Sequence, residues 1–142
     1  MNMTVRRTVW TVALLVIAPF IQIEAQQNVV ITDDDMKVVT FEDMKYTALG
    51  RTARVQGIVV VRAKLDDQGK VVDAVAISGN QVFVPDCIAN ARRWRFRPNA
   101  QRAAIIVYNF RLSDGISNSG CDHFMLEPPN FATITTCPVA LQ

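Results

Sequence analysis

Residues 92–100, RRWRFRPNA, place four arginines around a tryptophan and a phenylalanine. Arginines interleaved with aromatic rings form the combination that binds phosphates and stacks on bases. A nucleic-acid-binding domain carries a strong basic excess, however, whereas this chain has 15 basic and 13 acidic side chains and a formal net charge of +2. We therefore expect no nucleic-acid partner, and we interpret the stretch as a structural joint whose arginines face water.

Few other side chains could take part in catalysis or metal binding. The single histidine, His123, has no evident acid–base partner, and Cys121 beside it lacks the second ligand pair of a zinc site. Cys87 has no nearby histidine to activate it, so we interpret it as a small core residue. The acidic run at 33–35 lacks the glycine and distal glutamate of a calcium loop and fits a solvated turn. The sequence predicts no enzyme, no cofactor and no metal site.

The N-terminus has the order of a secretory signal. Arg6 and Arg7 precede an apolar run at 9–21, and small and polar residues follow. The apolar run has 13 residues, whereas a spanning helix needs about 20. We expect residues 1–25 to be a signal peptide that directs the protein to the periplasm. The alternative is an uncleaved segment anchored in the inner membrane, which is the only case in which we expect membrane contact.

The cysteines fit an exported protein. Cys121 and Cys137 lie in a tail rich in Gly, Ser, Asn, Pro and Thr, where an oxidising compartment would let them pair. Such a disulfide would close a loop of roughly 17 residues and stabilise the fold by about 3 kcal/mol in the chain-entropy model. Sequence alone does not fix the connectivity, so pairings with Cys87 stay open.

The elements that would position these residues follow from periodicity. Val- and Ile-rich segments flank the turn sequence DDQG and predict a hairpin, and a later alternating segment predicts a third strand. Trp94 and Phe96 are expected to face inward at the end of a helix of about three turns. The predicted fold is a small α+β domain of order β-β-α-β, a three-stranded antiparallel sheet with one helix packed on one face. The predicted ranges are 55–65, 70–78, 84–94 and 103–112.

The runs YTALGRTARVQGIVVVRAKLDDQGKV, SGN, CIANARRWRFRP and VYNFRL resemble the C-terminal periplasmic domain of the TonB energy-transducer family. The resemblance covers residues 46–112, which leaves an N-terminal extension at 26–45 and a tail at 113–142. The positions that carry it are Tyr46, Gly57, Gly69, Ser78, Trp94, Phe96, Pro98 and Phe110. Physical reasons support scaffold roles for several of them, because glycines relieve crowded turns and aromatic rings fill a core.

The resemblance implies a function in energy-coupled transport across the envelope. Members of the family bind segments of outer-membrane receptors by pairing them with the edge of the last strand. Here that strand is 103–112, and the candidate partner contacts are Ile105, Val107, Asn109 and Arg111. The alternative is that these four residues pack against the C-terminal tail. Another envelope protein as partner and a homodimer formed by strand pairing also stay open.

Two departures from the family weaken the transport interpretation. Thr47 stands where the family usually has proline, and residues 26–45 extend at most about 65–70 Å, a short spacer for crossing the periplasm. The alternative is a stand-alone secreted structural or interaction domain with no transport role. The tail discriminates between the two, because a tail that pairs with the third strand would block the edge that a receptor needs.

Overall fold

The computed structural model of the protein describes residues 37–113 and 121–139. Over these ranges the chain forms seven strands and two helices. They are β1 (Val38–Thr40), α1 (Ala48–Thr52), β2 (Gly57–Leu65), β3 (Val71–Ser78), α2 (Val84–Ala91), β4 (Arg95–Phe96), β5 (Ala103–Leu112), β6 (His123–Glu127) and β7 (Phe131–Thr136). The predicted signal peptide at 1–25 and the acidic run at 33–35 lie outside the described residues. Within the described ranges, no helix is long and apolar enough to span a membrane.

The prediction of a three-stranded antiparallel sheet with one helix is wrong. The three predicted strands and the predicted helix are present as β2, β3, β5 and α2, but they belong to a mixed α/β fold. Its main sheet has five strands in the order β3-β2-β5-β7-β6, and β1 and β4 form a second, two-stranded sheet. The tail supplies the two additional strands of the main sheet. Short strands such as β6 become stable when a larger sheet offers a neighbour, so their own composition signals them weakly.

The register of the main sheet brings the tail beside β5. β2 pairs antiparallel with both β3 and β5, and Val60 faces Val107 in the second of these pairs. β5 then pairs in parallel with β7, from Val107 opposite Phe131 to Leu112 opposite Thr136. β6 pairs antiparallel with β7 and forms one margin of the sheet, while β3 forms the other.

The core lies on one face of the main sheet. α2 packs over β2 and β3, and alternate residues of the strands point toward it. Trp94 is 1% exposed and Phe96 is fully buried, as expected, and the Phe83 and Phe110 rings stack with their centroids 3.9 Å apart. Most of the buried apolar side chains come from the sheet: Val59, Val61, Ala63, Leu65, Val71, Ala74, Ala104, Ile106, Tyr108, Phe110, Ala132 and Ile134.

Gly69 fixes the tip of the β2–β3 hairpin against β4. Its φ is +78°, and a Cβ at this position would lie 1.9 Å from the backbone oxygen of Phe96. The Phe96 amide donates a hydrogen bond of 2.8 Å to the Gly69 carbonyl. Both the backbone conformation and the close approach therefore require glycine here.

Candidate interaction surface

The edge of β5 that the resemblance assigns to a receptor is paired with the chain's own tail. Beyond the ladder with β7, the Val107 amide donates to the Asn130 carbonyl at 3.0 Å, and the Asn130 side-chain amide donates to the Ile105 carbonyl at 3.0 Å. At the other end the Ser113 amide donates to the Thr136 carbonyl at 2.7 Å. The backbone of β5 is therefore occupied along this side from Ile105 to Ser113.

The four predicted contact residues share the face of β5 that points away from α2. Ile105, Val107 and Asn109 are partly exposed, and Arg111 is exposed. They alternate along the strand with fully or almost fully buried residues that point toward the helix, such as Ile106. The tail therefore pairs with the backbone of β5 without covering these side chains.

Register extends this face across all five strands. Val60, Val107 and Phe131 lie side by side on β2, β5 and β7. Neighbouring rows add further apolar side chains from β3 and β6. We use the name outer face for the sheet surface that points away from α2. Its apolar members are Ile58, Val60, Val75, Ile105, Val107, Phe131 and Met125.

These seven side chains contribute nothing to the core. None of them belongs to the cluster of buried residues or to the partly buried residues packed against it in the described chain. Ile58 and Val75 are each 51% exposed, and Met125 is 44% exposed. The other four are partly exposed. A contiguous apolar surface that stays at least partly exposed, as this one does over 37–113 and 121–139, is typical of an interaction site.

Three cations that form no salt bridge among the described residues lie among and around the apolar side chains. Arg62 and Lys64 follow each other at alternate positions of β2, and Arg111 lies toward the other end of β5. All three are exposed, and none forms a salt bridge within the described part of the chain. The outer face therefore combines an apolar surface with positive charge available to a ligand.

The arginine-rich stretch at 92–100 forms a structural joint with its arginines facing water, as expected. All four arginines are exposed, and two of them form surface ion pairs. Arg92 lies 3.5 Å from Asp73, and Arg93 lies 3.2 Å from Glu42. The pairs link the end of α2 to β3 and to the segment after β1. The aromatic rings of the stretch are buried, so no base could stack on them.

A buried polar cluster beneath the joint is fully engaged in structural contacts. The Asn90 side-chain oxygen accepts hydrogen bonds from Trp94 Nε1 at 2.8 Å and from the Tyr108 hydroxyl at 2.9 Å. The Asn90 amide nitrogen donates to the Glu42 carbonyl at 3.0 Å. Burial raises the pKa of Tyr108 well above its usual value, so the hydroxyl remains a donor. The cluster orients the core and leaves no group free to react.

The predicted disulfide is present between Cys121 and Cys137, whose Cα atoms are 5.3 Å apart. It closes the open end of the β6–β7 hairpin, beside a 2.6 Å hydrogen bond from the Thr136 hydroxyl to Asp122. Cys87 is buried, and desolvation raises the pKa of its thiol to about 12. No group of three or more metal-ligating side chains occurs among the residues at 37–113 and 121–139.

The remaining positions that carry the resemblance are scaffold. The Tyr46 hydroxyl donates to the Val55 carbonyl, and its ring packs edge-on against Phe110 at 5.4 Å. Gly57 opens β2 with a φ of +148°, and Pro98 is exposed after β4. None of these residues lies on the outer face.

No family model, curated protein or solved structure matches the chain. The likeness to the TonB domain therefore stays a prediction that rests on the residues quoted above.

The contribution of the tail to the outer face was not predicted from the sequence. Phe131 and Met125 complete the apolar surface beside Val107, yet both lie in the region interpreted as an irregular tail. The signal was the alternation in HFMLE and FATITT on either side of two prolines.

Proposed function

We propose that the protein is an exported protein-interaction module of the cell envelope, which binds an apolar segment of another protein on its outer face. The observation that carries the proposal is the set of seven apolar side chains that spans five strands and stays outside the core. Natural proteins seldom leave such a surface open without a use for it.

The charges specify the chemistry of the partner. Arg62, Lys64 and Arg111 form no salt bridge among the described residues, although Asp73 lies opposite Lys64 in the β2–β3 pair. A segment with apolar residues at its centre and carboxylates near its ends would satisfy both features of the outer face. Complementary charges of this kind contribute mainly to specificity and association rate, while the apolar contacts contribute affinity.

Two features support a location in the envelope. The Cys121–Cys137 disulfide is the kind of crosslink that persists in an oxidising compartment. The basic residues and apolar run before residue 25 have the order of a secretory signal. Together they favour a periplasmic protein that meets other envelope proteins.

The proposed binding mode differs from the one that the TonB resemblance implies. Strand addition to β5 would require β7 to leave, because β7 pairs with the same side of β5. Its departure would also remove Ala132 and Ile134 from the core, where both are buried. We therefore propose binding on the face, with the tail in place and without a role in energy-coupled transport.

Site-specific photocrosslinking in cells tests this function. A photoreactive residue is placed at Val107 of the full-length chain, and the matched control carries it at Ala89, which is exposed on α2 on the opposite side of the sheet. We expect the Val107 probe to crosslink to an apolar, acid-flanked segment of an envelope protein. Adding Phe131→Asp should abolish that crosslink while leaving the melting temperature nearly unchanged. Absence of protein crosslinks at Val107, or crosslinks to lipid alone, would contradict the proposal.

A locked variant separates face binding from strand addition. Asn109 and Thr133 are directly paired between β5 and β7, so cysteines at both positions can form a disulfide that holds the tail in place. Face binding predicts that the Val107 crosslink survives in the oxidised variant. Loss of the crosslink on oxidation, with recovery on reduction, would favour strand addition and hence the transport role.

A further inference from the structure

The two margins of the main sheet differ in how they are protected. β3 has two irregularities in its register with β2. The Asp73 carboxylate accepts the Ala74 amide at 2.9 Å, and the same carboxylate pairs with Arg92. α2 also packs against β3. Bulges, charges and a covering helix are the means by which proteins prevent an edge strand from pairing.

β6 has no register irregularity in the described part of the chain, and Glu127 at its end is its one acidic side chain. Its five residues pair with β7 in an unbroken register from His123 to Glu127. The strand contains neither proline nor lysine, and no backbone hydrogen bond reaches its other side from the described residues. The free backbone groups of such an edge are a template for another strand.

The sequence of β6 is complementary to itself when it is reversed. An antiparallel copy centred on Met125 places His123 opposite Glu127, and Met125 opposite its own copy. On the other face the same register places Phe124 opposite Leu126. Imidazole therefore meets carboxylate, and apolar side chains meet apolar side chains.

Other registers lose this match. A parallel in-register pair would place Glu127 beside a second Glu127, and a shift of two residues would leave part of the strand unpaired. Antiparallel pairs permit a two-fold axis between two copies of one residue in both of their hydrogen-bonding patterns. The register centred on Met125 is therefore compatible with either set of outward amides.

The surface beside β6 is apolar on both sides of the sheet. Phe41 is 46% exposed and stacks on Phe124 with ring centroids 5.7 Å apart. On the outer face Met125 is 44% exposed. A second copy paired through β6 would cover both side chains, so the pairing adds apolar burial to the backbone hydrogen bonds.

We propose that two copies of the chain pair through β6, antiparallel about a two-fold axis at Met125, and form one continuous ten-stranded sheet. The contact is isologous, as in most homodimers. It joins the two outer faces into one surface with two partner sites. The pairing covers only Met125 of the seven apolar residues of the outer face and leaves Val107 exposed, so its test is separate from that of the partner proposed above.

Cysteine crosslinking in the full-length, oxidised chain tests the register. In the proposed dimer the two Met125 side chains are direct cross-strand partners, with Cβ atoms about 4.5–5.5 Å apart. Met125→Cys should therefore give a disulfide-linked dimer with the native Cys121–Cys137 bond intact by mass spectrometry. The matched control is Glu127→Cys, whose two copies would lie about 14 Å apart and should not crosslink.

A charge series tests the same contact without new cysteines. His123→Glu places like charges opposite each other twice, so we expect the dimer dissociation constant to rise about fivefold or more in sedimentation experiments. Combining it with Glu127→Lys should restore or strengthen the dimer. A wild-type chain that stays monomeric at millimolar concentration would overturn the proposal. So would equal crosslinking of both cysteine variants, or a Met125→Cys chain that crosslinks only to other proteins.

Discussion

The two faces of the main sheet use the same strands in opposite ways. Toward α2, β5 presents Ile106 and Tyr108, which are both fully buried. The Tyr108 hydroxyl also donates to Asn90, and its ring packs edge-on against Trp94. Away from α2 the same strand presents Ile105 and Val107, which touch no covering element among the described residues. Neighbouring residues of one strand therefore differ in role: one set packs in the core, and the other lies on the outer face.

This difference separates stability from recognition. Burial and satisfied hydrogen bonds concentrate the folding free energy on the helix-facing side, so that side tolerates little change. The outer face contributes less to folding, so its residues can change to suit a binding partner at little cost in stability. Substitutions on the two faces should then have opposite consequences, with stability lost on one and binding lost on the other.

The largest effect is expected at Trp94. Trp94→Ala should lower the free energy of unfolding by roughly 3–5 kcal/mol, because it leaves a cavity and removes the Nε1 donor to Asn90. Urea denaturation measures the loss. The matched control is Arg92→Gln with Arg93→Gln, which breaks two exposed ion pairs and should change stability by about 1 kcal/mol or less. A Trp94 variant as stable as the wild type would overturn the assignment of this face as the core.

Adjacent isoleucines of β5 give the sharpest comparison. Ile106→Ala should cost about 2–4 kcal/mol, because Ile106 is fully buried. Ile105→Ala should cost about 1 kcal/mol or less and should instead weaken crosslinking from Val107, because Ile105 lies partly exposed on the outer face. Chemical denaturation of both variants checks the difference. Equal losses would mean that both faces are packed.

The parts of the fold that the sequence predicts are those with strong local signals. β5 matches the predicted range 103–112 in full, because complete alternation and long apolar side chains define a strand by themselves. The β2–β3 hairpin follows from its turn residues. Trp94 and Phe96 were expected inward because helical periodicity ends where a period of two begins, and both are buried.

The missed parts are defined by partners rather than by their own residues. β1 and β4 have three and two residues and pair with each other, and β4 is also bridged to Lys70 at the hairpin tip. β7 has small or polar inward residues at Ala132 and Thr136, so its pattern is faint until β5 stands beside it. The parallel pair of β5 and β7 also joins segments that are distant in sequence, so no local turn predicts it.

Only part of the interaction surface was predicted from the sequence. Ile105, Val107, Asn109 and Arg111 followed from the alternation of β5 and the resemblance, and they lie together on one face. That face becomes an apolar surface only through Val60 and the tail's Phe131, and those neighbours depend on strand order. A sequence gives the alternation of one strand, whereas a surface needs the register of several.

A smaller effect than at Trp94 or Ile106 is expected from the pH dependence of Cys87 on the helix-facing side. Desolvation raises the pKa of this thiol to about 12 in the folded state, against about 8.5 in an unfolded chain. The stability contribution of the protonated thiol is complete below the unfolded pKa and is lost as pH rises through the folded value. We expect the free energy of unfolding to fall by about 1–2 kcal/mol between pH 8 and pH 10, with a shallower slope in Cys87→Ala.

Thiol labelling sharpens this last comparison between the faces. At pH 8 the native chain should react negligibly with a thiol reagent, because Cys87 is buried and protonated. Val107→Cys in a Cys87→Ala background should react readily, since Val107 is partly exposed among the described residues. Rapid labelling of Cys87 in the folded protein would show that the helix-facing side opens. Protection of the Val107→Cys thiol in dilute protein would show that another part of the same chain covers the outer face.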